Sequence, residues 1–553
     1  MKMINKPSVM KGEDGIVWEQ IFDKFRAVVY FPNTTLPEKM INFGYSAPFL
    51  LVFSEKEYDF DEAVSYAKES GLSEIAASYA TTVVFINPVS NGTFDSWGNA
   101  GEELYQELIS NSKIHQYHED GYAILNNRFT HEVDGYAIRG AIFRAFIFAE
   151  GSAADYVGRT LIKTIEGDGL WGKADIAPTV CVLRGLSAVP LFERKDMPVV
   201  SIDNSSEIDE VIRNNSYACE IIKSDAGVIN YRKIFEEFIY TFKRWGWHGE
   251  LSQEPDLEKL GMTEEPCVVT VKTSEDNCGD YAGTKEHLLG YIAYYNNDLF
   301  KNGPVPLVLC FHGGGDSAKH IAFVSGWHQV AHDHDFLLVC VEDHLESTAS
   351  EMMELIDILS AKYDIDRERI YATGFSMGGC KSWDMYQEYP EVFAALAPMD
   401  ATFEVGLNLY GKPAIKPINR TCAVPVYYIG GEVTPLPELP FQAEKCLDRI
   451  KYVFEVNRVV KKYDVSLEDK DNWENKIWGI DGDKVYRIED KSRESILTLQ
   501  CFLSDNGKTY TVLGSVDNQG HECRYHSCEY AWRFLSRFKR VNGEIIGGED
   551  VSF

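Results

Sequence analysis

Short, continuous runs of apolar residues recur along the chain, separated by longer polar or amphipathic stretches. A strand produces such a run when it lies inside a parallel sheet, because helices then cover both of its faces. Segments compatible with helices lie between the runs. The pattern therefore predicts an α/β fold, a mostly parallel sheet flanked by helices. In the second half the predicted strands are 306–311, a run ending at 341, 370–373, 394–399, 425–429 and 510–514.

The first half repeats this order of elements, which predicts two tandem domains of the same kind. The stretch 246–264 is polar, contains glycine, and is typical of a linker. We therefore predict domains at 1–245 and 265–553, which would form an intramolecular pseudo-dimer; the oligomeric state stays open. The matching segments of the first half are the strands 25–32, 48–53, 80–87, 146–154 and 198–202 and a closing helix at 235–245, the counterpart of 530–541.

The most informative motif lies between a predicted strand and a predicted helix. The run Ile370–Thr373 leads into Gly374-Phe-Ser-Met-Gly378, and a helix-compatible segment from 380 to 388 follows. Strand, G-x-S-x-G and helix, in that order, form the nucleophile elbow of α/β-hydrolases. Its turn is so tight that Cβ atoms on the two glycines would collide with backbone. The motif predicts Ser376 as an exposed nucleophile.

A glycine-rich loop, His312-Gly-Gly-Gly315, follows the predicted strand 306–311. Glycines directly after a strand let backbone N–H groups face inward, toward a reacting carbonyl oxygen. We predict an oxyanion hole from the N–H groups of Gly314, Gly315 and Met377, the residue after the nucleophile. An ordinary glycine-rich turn is the alternative interpretation.

A catalytic base is expected in the loop after the last predicted strand, 510–514. His521 lies in this loop, and Gly520 before it permits a loop that approaches the serine. The competing His526 falls at the start of the closing helix, predicted at 527–539. The base is therefore predicted to be His521.

A carboxylate that holds the imidazole is expected after the penultimate strand, 425–429. Glu432 is the first carboxylate past the end of that strand and is the predicted acid. Glu438, farther along the same loop, is the second choice. Asp400, which ends the preceding strand, is the third.

The residues predicted for catalysis in the second half are absent from the matching positions of the first half. Ser54-Glu-Lys-Glu57 replaces the glycine-rich loop, and the nucleophile position falls on Gly151, one residue before Ser152. Ala226 stands opposite His521. We therefore predict that the first domain is a catalytically degenerate copy that packs against the active one or shapes its active-site mouth.

Two insertions distinguish the halves, at about 108–140 in the first and at 448–508 in the second. The second contains Trp473, Trp478 and an Asp505-Asn-Gly-Lys508 hairpin signal. An insertion at this place is expected to form a lid or a wall of an acyl pocket. A surface hairpin packed on the other domain is the alternative.

Composition adds limits on partners and location. The net charge is −31, so nucleic acid and anionic membranes are poor partners. No apolar run is long enough to span a membrane, and the first residues lack the apolar core of a signal peptide. The twelve cysteines are scattered, as in a protein of the reducing cytoplasm. The spacing of His521, Cys523, His526 and Cys528 fits no common zinc pattern, so neither a metal nor a cofactor is predicted.

Residues 265–540 resemble a known family of enzymes. The stretches Ser325–Val339 and Arg369–Gly379, then Trp383-Asp384 and Tyr389–Phe393, are similar to polyhydroxybutyrate-depolymerase-like and feruloyl-esterase-like carboxylesterases. The resemblance implies an α/β-hydrolase that cleaves carboxylic esters with a serine and without a metal. The chain departs from the family at the acid loop, where Gly430-Gly-Glu-Val-Thr-Pro435 replaces the usual glycine-to-aspartate loop.

The combined interpretation is a cytoplasmic serine esterase acting on a small-molecule ester through an acyl-enzyme, and the natural ester stays open. A serine peptidase of prolyl-oligopeptidase-like type is the nearest alternative, since the same triad cleaves amides. A non-catalytic binding or scaffold protein is the alternative from another class.

Overall fold

The computed structural model describes residues 8–33, 47–113, 138–169, 172–224, 226–245, 249–277, 282–408, 411–549 and 551–553. The chain divides into two compact units, Met1–Pro255 and Asp256–Phe553. Part of the predicted linker 246–264 has regular structure, because it carries a strand at Glu250–Gln253 and a helix at Leu257–Leu260. Most of the predicted insertion at 108–140 lies outside the described residues.

In the first unit, the helices are α1 (Phe60–Glu69), α2 (Leu72–Ser78), α3 (Glu102–Ser110), α4 (Ser152–Thr160), α5 (Ser206–Asn215) and α6 (Arg232–Glu237). The strands are β1 (Ser8–Gly12), β2 (Gly15–Ile21), β3 (Phe25–Pro32), β4 (Phe49–Phe53), β5 (Val83–Ser90), β6 (Thr93–Phe94), β7 (Ser112–Lys113), β8 (Ile138–Arg139), β9 (Ala145–Glu150), β10 (Glu166–Gly169), β11 (Gly172–Asp175), β12 (Val180–Arg184), β13 (Val199–Ile202), β14 (Cys219–Ile222), β15 (Phe242–Trp245) and β16 (Glu250–Gln253).

In the second unit, the helices are α7 (Leu257–Leu260), α8 (Ala318–Val324), α9 (Trp327–His334), α10 (Ala349–Lys362), α11 (Met377–Glu388), α12 (Glu444–Val456) and α13 (Tyr525–Leu535). The strands are β17 (Met262–Lys272), β18 (Glu286–Asn296), β19 (Val305–Phe311), β20 (Leu337–Val341), β21 (Ile365–Phe375), β22 (Ala395–Met399), β23 (Val426–Gly431), β24 (Lys484–Asp490), β25 (Ser495–Leu503), β26 (Thr509–Val516), β27 (Lys539–Val541) and β28 (Glu544–Ile546).

The main sheet of the second unit has the order β17-β18-β20-β19-β21-β22-β23-β26-β25-β24. The strands from β20 to β26 in this order are parallel, and antiparallel strands complete both edges. The predicted α/β fold is therefore confirmed. The carboxyl ends of parallel strands meet at one edge of a sheet, which is where ligands bind in α/β folds.

Both faces of this sheet are covered, which explains the continuous apolar runs in the sequence. Every residue of β19 is buried. Along β21, Ile370 and Ala372 belong to a core shared with α10, α11 and α12, whereas Tyr371 faces the other side. There Tyr371 meets the ring of Trp532 from α13, with ring centroids 5.7 Å apart.

The main sheet of the first unit has the order β1-β2-β3-β5-β4-β9-β12-β13-β14. Its strands from β5 to β14 are parallel. From β3 onward, this is the order that the second unit follows from β18 to β26, and in both sheets the second and third strands of this series (β4 and β5, β19 and β20) are exchanged. Each sheet is buried in apolar clusters of its own unit.

Both predicted closing helices are wrong at their C-terminal ends. The segment predicted as a helix at 235–245 ends in strand β15, which pairs with β16. The helix predicted at 527–539 ends at Leu535, and a hairpin of β27 and β28 follows. The turn of this hairpin is Asn542-Gly543, and both residues have positive φ, which a type I′ turn requires.

The insertion at 448–508 extends the main sheet. Its strands β24 and β25 lie beside β26, and the predicted hairpin turn at Asp505-Asn-Gly-Lys508 joins β25 to β26. Trp473 and Trp478 are buried in the core of the second unit. The two tryptophans and β25 thus contribute buried residues to the second unit, whereas no residue of β24 is fully buried. The expectation of a lid or a wall of an acyl pocket stays a prediction.

Candidate active site

Ser376 stands between strand β21 and helix α11, as the elbow motif predicts. Its φ of 54° and ψ of −121° lie in a region that non-glycine residues rarely occupy. Its backbone N–H donates to the carbonyl of Met399 (3.1 Å), and its carbonyl accepts the N–H of Cys380 (3.0 Å). These bonds hold a conformation that costs about 1–3 kcal/mol. Strain of this kind is typical of functional sites.

The two glycines of the elbow are required by close backbone contacts. A Cβ on Gly374 would overlap the carbonyl of Gly378, and a Cβ on Gly378 would overlap the carbonyls of Phe311 and His312. The strand β19 and the loop after it therefore press directly against the elbow. This is the steric reason that the sequence suggested for the motif.

His521 contacts the hydroxyl of Ser376, as expected for a base. The Nε2 atom of His521 lies 2.9 Å from the Oγ of Ser376. The His521 ring is buried and packs at 4.7 Å, centroid to centroid, from the ring of Phe375. The competing His526 lies in the first turn of α13, beside Tyr530.

The carboxylate that faces the imidazole is Glu438, the second choice from the sequence. Its Oε1 accepts a hydrogen bond from Nδ1 of His521 and another, of 3.1 Å, from the hydroxyl of Thr434. The Glu438 side chain is buried. The structure thus brings Ser376, His521 and Glu438 into one hydrogen-bonded chain.

The prediction of Glu432 at this place is therefore corrected. The N–H of Glu432 donates to the carbonyl of Val516 (3.0 Å), so the pairing with β26 continues past the end of β23. Its side chain points along the sheet and accepts a hydrogen bond of 2.7 Å from Ser515. The chain then turns at 433–437 and brings Glu438 back toward His521.

Gly431 lets the histidine loop approach the acid loop. A Cβ on Gly431 would overlap the carbonyl oxygens of Gln519 and Gly520, the two residues before His521. The glycine at 431 thus leaves room for the loop that carries His521, which the sequence did not predict.

Burial determines the ionisation of the histidine. Desolvation lowers the pKa of His521 to about 4, although the negative charge of Glu522 acts to raise it. The imidazole is therefore neutral at pH 7, the form that can accept a proton. Burial also raises the pKa of Glu438, while its hydrogen bond from Thr434 acts in the opposite direction.

The glycine-rich loop lies against the elbow. A Cβ on Gly313 would come within 3.3 Å of the Cβ of Ser376, and one on Gly314 would overlap the sulfur of Met377. The His312 side chain, through Nε2, donates to the carbonyl of Glu342 (2.7 Å). The carboxylate of Glu342 accepts the N–H of Ala318 (2.7 Å), which holds the far end of the loop.

The first unit contains a turn between a strand and a helix whose backbone resembles that at Ser376. Gly151, between β9 and α4, has a φ of 57° and a ψ of −127°, close to the values of Ser376. Its N–H donates to the carbonyl of Arg184 (2.9 Å), the last residue of the next strand. The N–H of Ser152 donates to the carboxylate of Glu55 (2.7 Å), from the loop after β4.

Other kinds of site are not found in the described part of the chain. Among those residues, no cluster of histidine, cysteine, aspartate or glutamate has the arrangement of a metal site. No described helix combines the length and the apolar character needed to span a membrane. The cysteines of the described segments are free thiols. Cytoplasmic location stays a prediction.

Comparison with known proteins finds esterases, as the resemblance implied. The chain is 27% identical over 129 residues to poly(3-hydroxyalkanoate) depolymerase C of Paucimonas lemoignei, a match that covers 19% of this chain and 31% of that protein. It is 25% identical over 148 residues to a bifunctional acetylxylan esterase/xylanase of Neocallimastix patriciarum, covering 25% of this chain and 20% of that protein. The chain thus spans a third or less of the length of these relatives.

Among solved structures, the acetyl xylan esterase from Aspergillus awamori superposes with a TM-score of 0.32 at 13% identity, covering 49% of this chain and 99% of that one. No protein-family model matches the chain. The two relatives found by sequence are thus named as a depolymerase and as a bifunctional esterase/xylanase.

Proposed function

We propose that the protein is a carboxylic ester hydrolase with Ser376 as nucleophile, His521 as base and Glu438 as acid. One observation carries the proposal: His521 connects the Ser376 hydroxyl to a buried carboxylate through its two ring nitrogens. This arrangement is the one that activates a serine hydroxyl in unrelated hydrolase folds. The similarity to esterases supports the same activity.

In the proposed reaction, the Oγ of Ser376 attacks the ester carbonyl carbon while its proton passes to Nε2 of His521. The imidazolium then gives this proton to the departing alkoxide, which leaves as an alcohol. Water attacks the acyl-enzyme with the same histidine as base, releasing the acid and restoring the serine. Glu438 holds the imidazole through Nδ1 and stabilises the imidazolium.

The oxyanion of the tetrahedral intermediate would be bound by backbone N–H groups. Met377 supplies one as the first residue of α11, where the helix dipole also favours negative charge. The glycine loop 313–315, which lies against the elbow, supplies the others through Gly314 and Gly315. The proposed oxyanion hole thus uses the two segments predicted from the sequence.

The proposed substrate is a small-molecule carboxylic ester. The names of the relatives include a poly(3-hydroxyalkanoate) depolymerase and an acetylxylan esterase, both of which act on ester bonds. The net charge of −31 disfavours polyanionic substrates, so a neutral ester is the better fit.

We also propose that the first unit is a catalytically silent copy of the second. The strand order from β3 to β14 and the backbone angles of Gly151 support a common origin. The carboxylate of Glu55 occupies the N–H of Ser152, which is the donor equivalent to Met377. An anion fixed on this donor would repel a developing oxyanion, so the first unit would lack an oxyanion hole. Because Gly151 stands at the position of Ser376, it would also lack a nucleophile.

The test of the main proposal is the hydrolysis of p-nitrophenyl acetate by the wild type and by Ser376→Ala. The substitution should lower kcat by about a thousandfold or more, with circular dichroism unchanged. A Ser376→Ala protein that keeps its activity would refute the assignment of the nucleophile. A wild-type protein that hydrolyses no short ester would refute the proposed activity.

A further inference from the structure

A second buried carboxyl group lies behind the proposed triad. Asp400 follows strand β22 directly and is 2% exposed. Its N–H donates to the carbonyl of Ile429 in the neighbouring strand (2.8 Å). Its Oδ1 accepts the N–H of Gly431 (3.2 Å). Asp400 is thus held at the carboxyl ends of β22 and β23, next to the loop that carries Glu438.

The side chains of Asp400 and Glu438 lie within hydrogen-bonding reach of each other. Oε1 of Glu438 has two donors, His521 and Thr434. In contrast, Oε2 of Glu438 is buried and has no hydrogen bond of good geometry from the described residues, although the nearby N–H of Gly431 acts on this carboxylate. A buried carboxylate oxygen without a donor is costly, and two facing carboxylates repel each other.

A single proton between the two carboxyl groups removes both costs. Glu438 is the better site for the negative charge, because the side chains of His521 and Thr434 both donate to it, whereas no donor side chain to Asp400 is found among the described residues and the N–H of Gly431 acts on both carboxyl groups. We propose that Asp400 is protonated at neutral pH and donates a hydrogen bond to Oε2 of Glu438, which makes it a positioning residue for the triad. The catalytic part of this inference rests on the function proposed above.

The surroundings of Asp400 favour its neutral form. Burial and the charge of Glu438 raise the pKa of Asp400 well above its usual range. Glu522, the other carboxylate that acts on it, is paired with Arg524. Tyr428 and Cys528 also face it, and burial raises the pKa of each, so both are neutral. No unpaired cation in this set favours an ionised Asp400.

The backbone at Asp400 provides a matched pair of variants. Its φ of 50° lies in the left-handed region, which asparagine and glycine tolerate better than most residues. Asp400→Asn keeps a neutral donor toward Glu438 in nearly the same volume. Asp400→Gly removes the donor while accepting the same backbone angle.

The first measurement is infrared difference spectroscopy of the wild type against Asp400→Asn. The wild type should show the C=O stretching band of a protonated carboxylic acid that the variant lacks, unchanged between about pH 5 and pH 8. A missing band, or one that develops only in acid, would overturn the proposal. This readout does not depend on activity, so it holds even if no ester is hydrolysed.

The second measurement is the pH profile of kcat/KM with p-nitrophenyl acetate. Asp400→Asn should stay within about threefold of the wild type, with the acidic side of its profile unmoved. Asp400→Gly should lose about tenfold or more in kcat, and the acidic side should move to higher pH because Glu438 takes up a proton more readily.

The opposite pattern would overturn the inference. If Asp400 were ionised, Asp400→Asn would remove a negative charge near His521 and move the acidic side to lower pH by about one unit. An Asp400→Gly protein identical to the wild type would also contradict it. Glu432→Gln serves as the control, since Glu432 bonds to Ser515 rather than to the histidine.

Discussion

At the scale of single residues, two glutamates of the same loop have different partners and different expected roles. Glu438 faces His521, whereas Glu432 bonds to Ser515 on the neighbouring strand. We expect Glu438→Gln to lower kcat/KM for p-nitrophenyl acetate by about a hundredfold or more, because an amide stabilises the imidazolium poorly. Glu432→Gln should remain within about twofold. Steady-state kinetics on the folded variants checks both values, and a larger loss in Glu432→Gln would restore the original assignment.

The buried histidine leads to an expectation for pH. Because burial lowers the pKa of His521 to about 4, the imidazole stays neutral in mildly acidic solution. The negative charge that we assign to Glu438 acts in the opposite direction, so we expect kcat/KM for a neutral ester to fall on the acidic side with a midpoint below the ordinary histidine value. A fall centred at the ordinary histidine value of about 6.5 would contradict this account.

Ser376 and His521 could be predicted because sequence neighbours reveal them. Glycines flank the serine, and a glycine precedes the histidine, each in a loop after a strand. The acid could not be predicted in the same way. The strand pairing continues to Glu432, and the turn that returns Glu438 to the histidine depends on contacts with Gln442 and Thr434.

At the scale of elements, the elbow depends on close contact between α11 and the end of β19. A Cβ at position 378 would overlap two carbonyl groups, whereas one at Gly227 would meet nothing within 4 Å. We expect Gly378→Ala to lower the free energy of unfolding by about 2 kcal/mol or more and to abolish activity. Gly227→Ala, the control, should change stability by less than about 0.5 kcal/mol. Chemical denaturation measures both, and equal stabilities would refute the steric argument.

The positions of the main parallel strands along the chain were predictable, because buried parallel strands give continuous apolar runs. The ends of the closing helices were not. The strand β15 is stabilised by the buried guanidinium of Arg244, which bonds to Asp196 and to backbone carbonyls far away in sequence. For β27 and β28 a local signal did exist, since Asn542-Gly543 is a typical hairpin turn.

At the scale of the whole molecule, one chain carries two main sheets of matching strand order. Among the described residues, the hydrogen-bonded chain of serine, histidine and glutamate lies in the second unit. If the first unit is silent, Ser152 has no catalytic role even though it adjoins the elbow of that unit. Ser152→Ala should therefore leave kcat and KM for p-nitrophenyl acetate unchanged within about twofold. A loss comparable to that of Ser376→Ala would show that the first unit takes part in catalysis.

Covalent labelling identifies which serine of the chain is activated. A fluorophosphonate forms a stable bond with an activated serine, and peptide mass mapping then locates it. We expect one label per chain, on the peptide that contains Ser376, no label in Ser376→Ala, and much slower labelling in Glu438→Gln. A label on Ser152 or elsewhere, or a chain that stays unlabelled while it hydrolyses esters, would contradict this expectation.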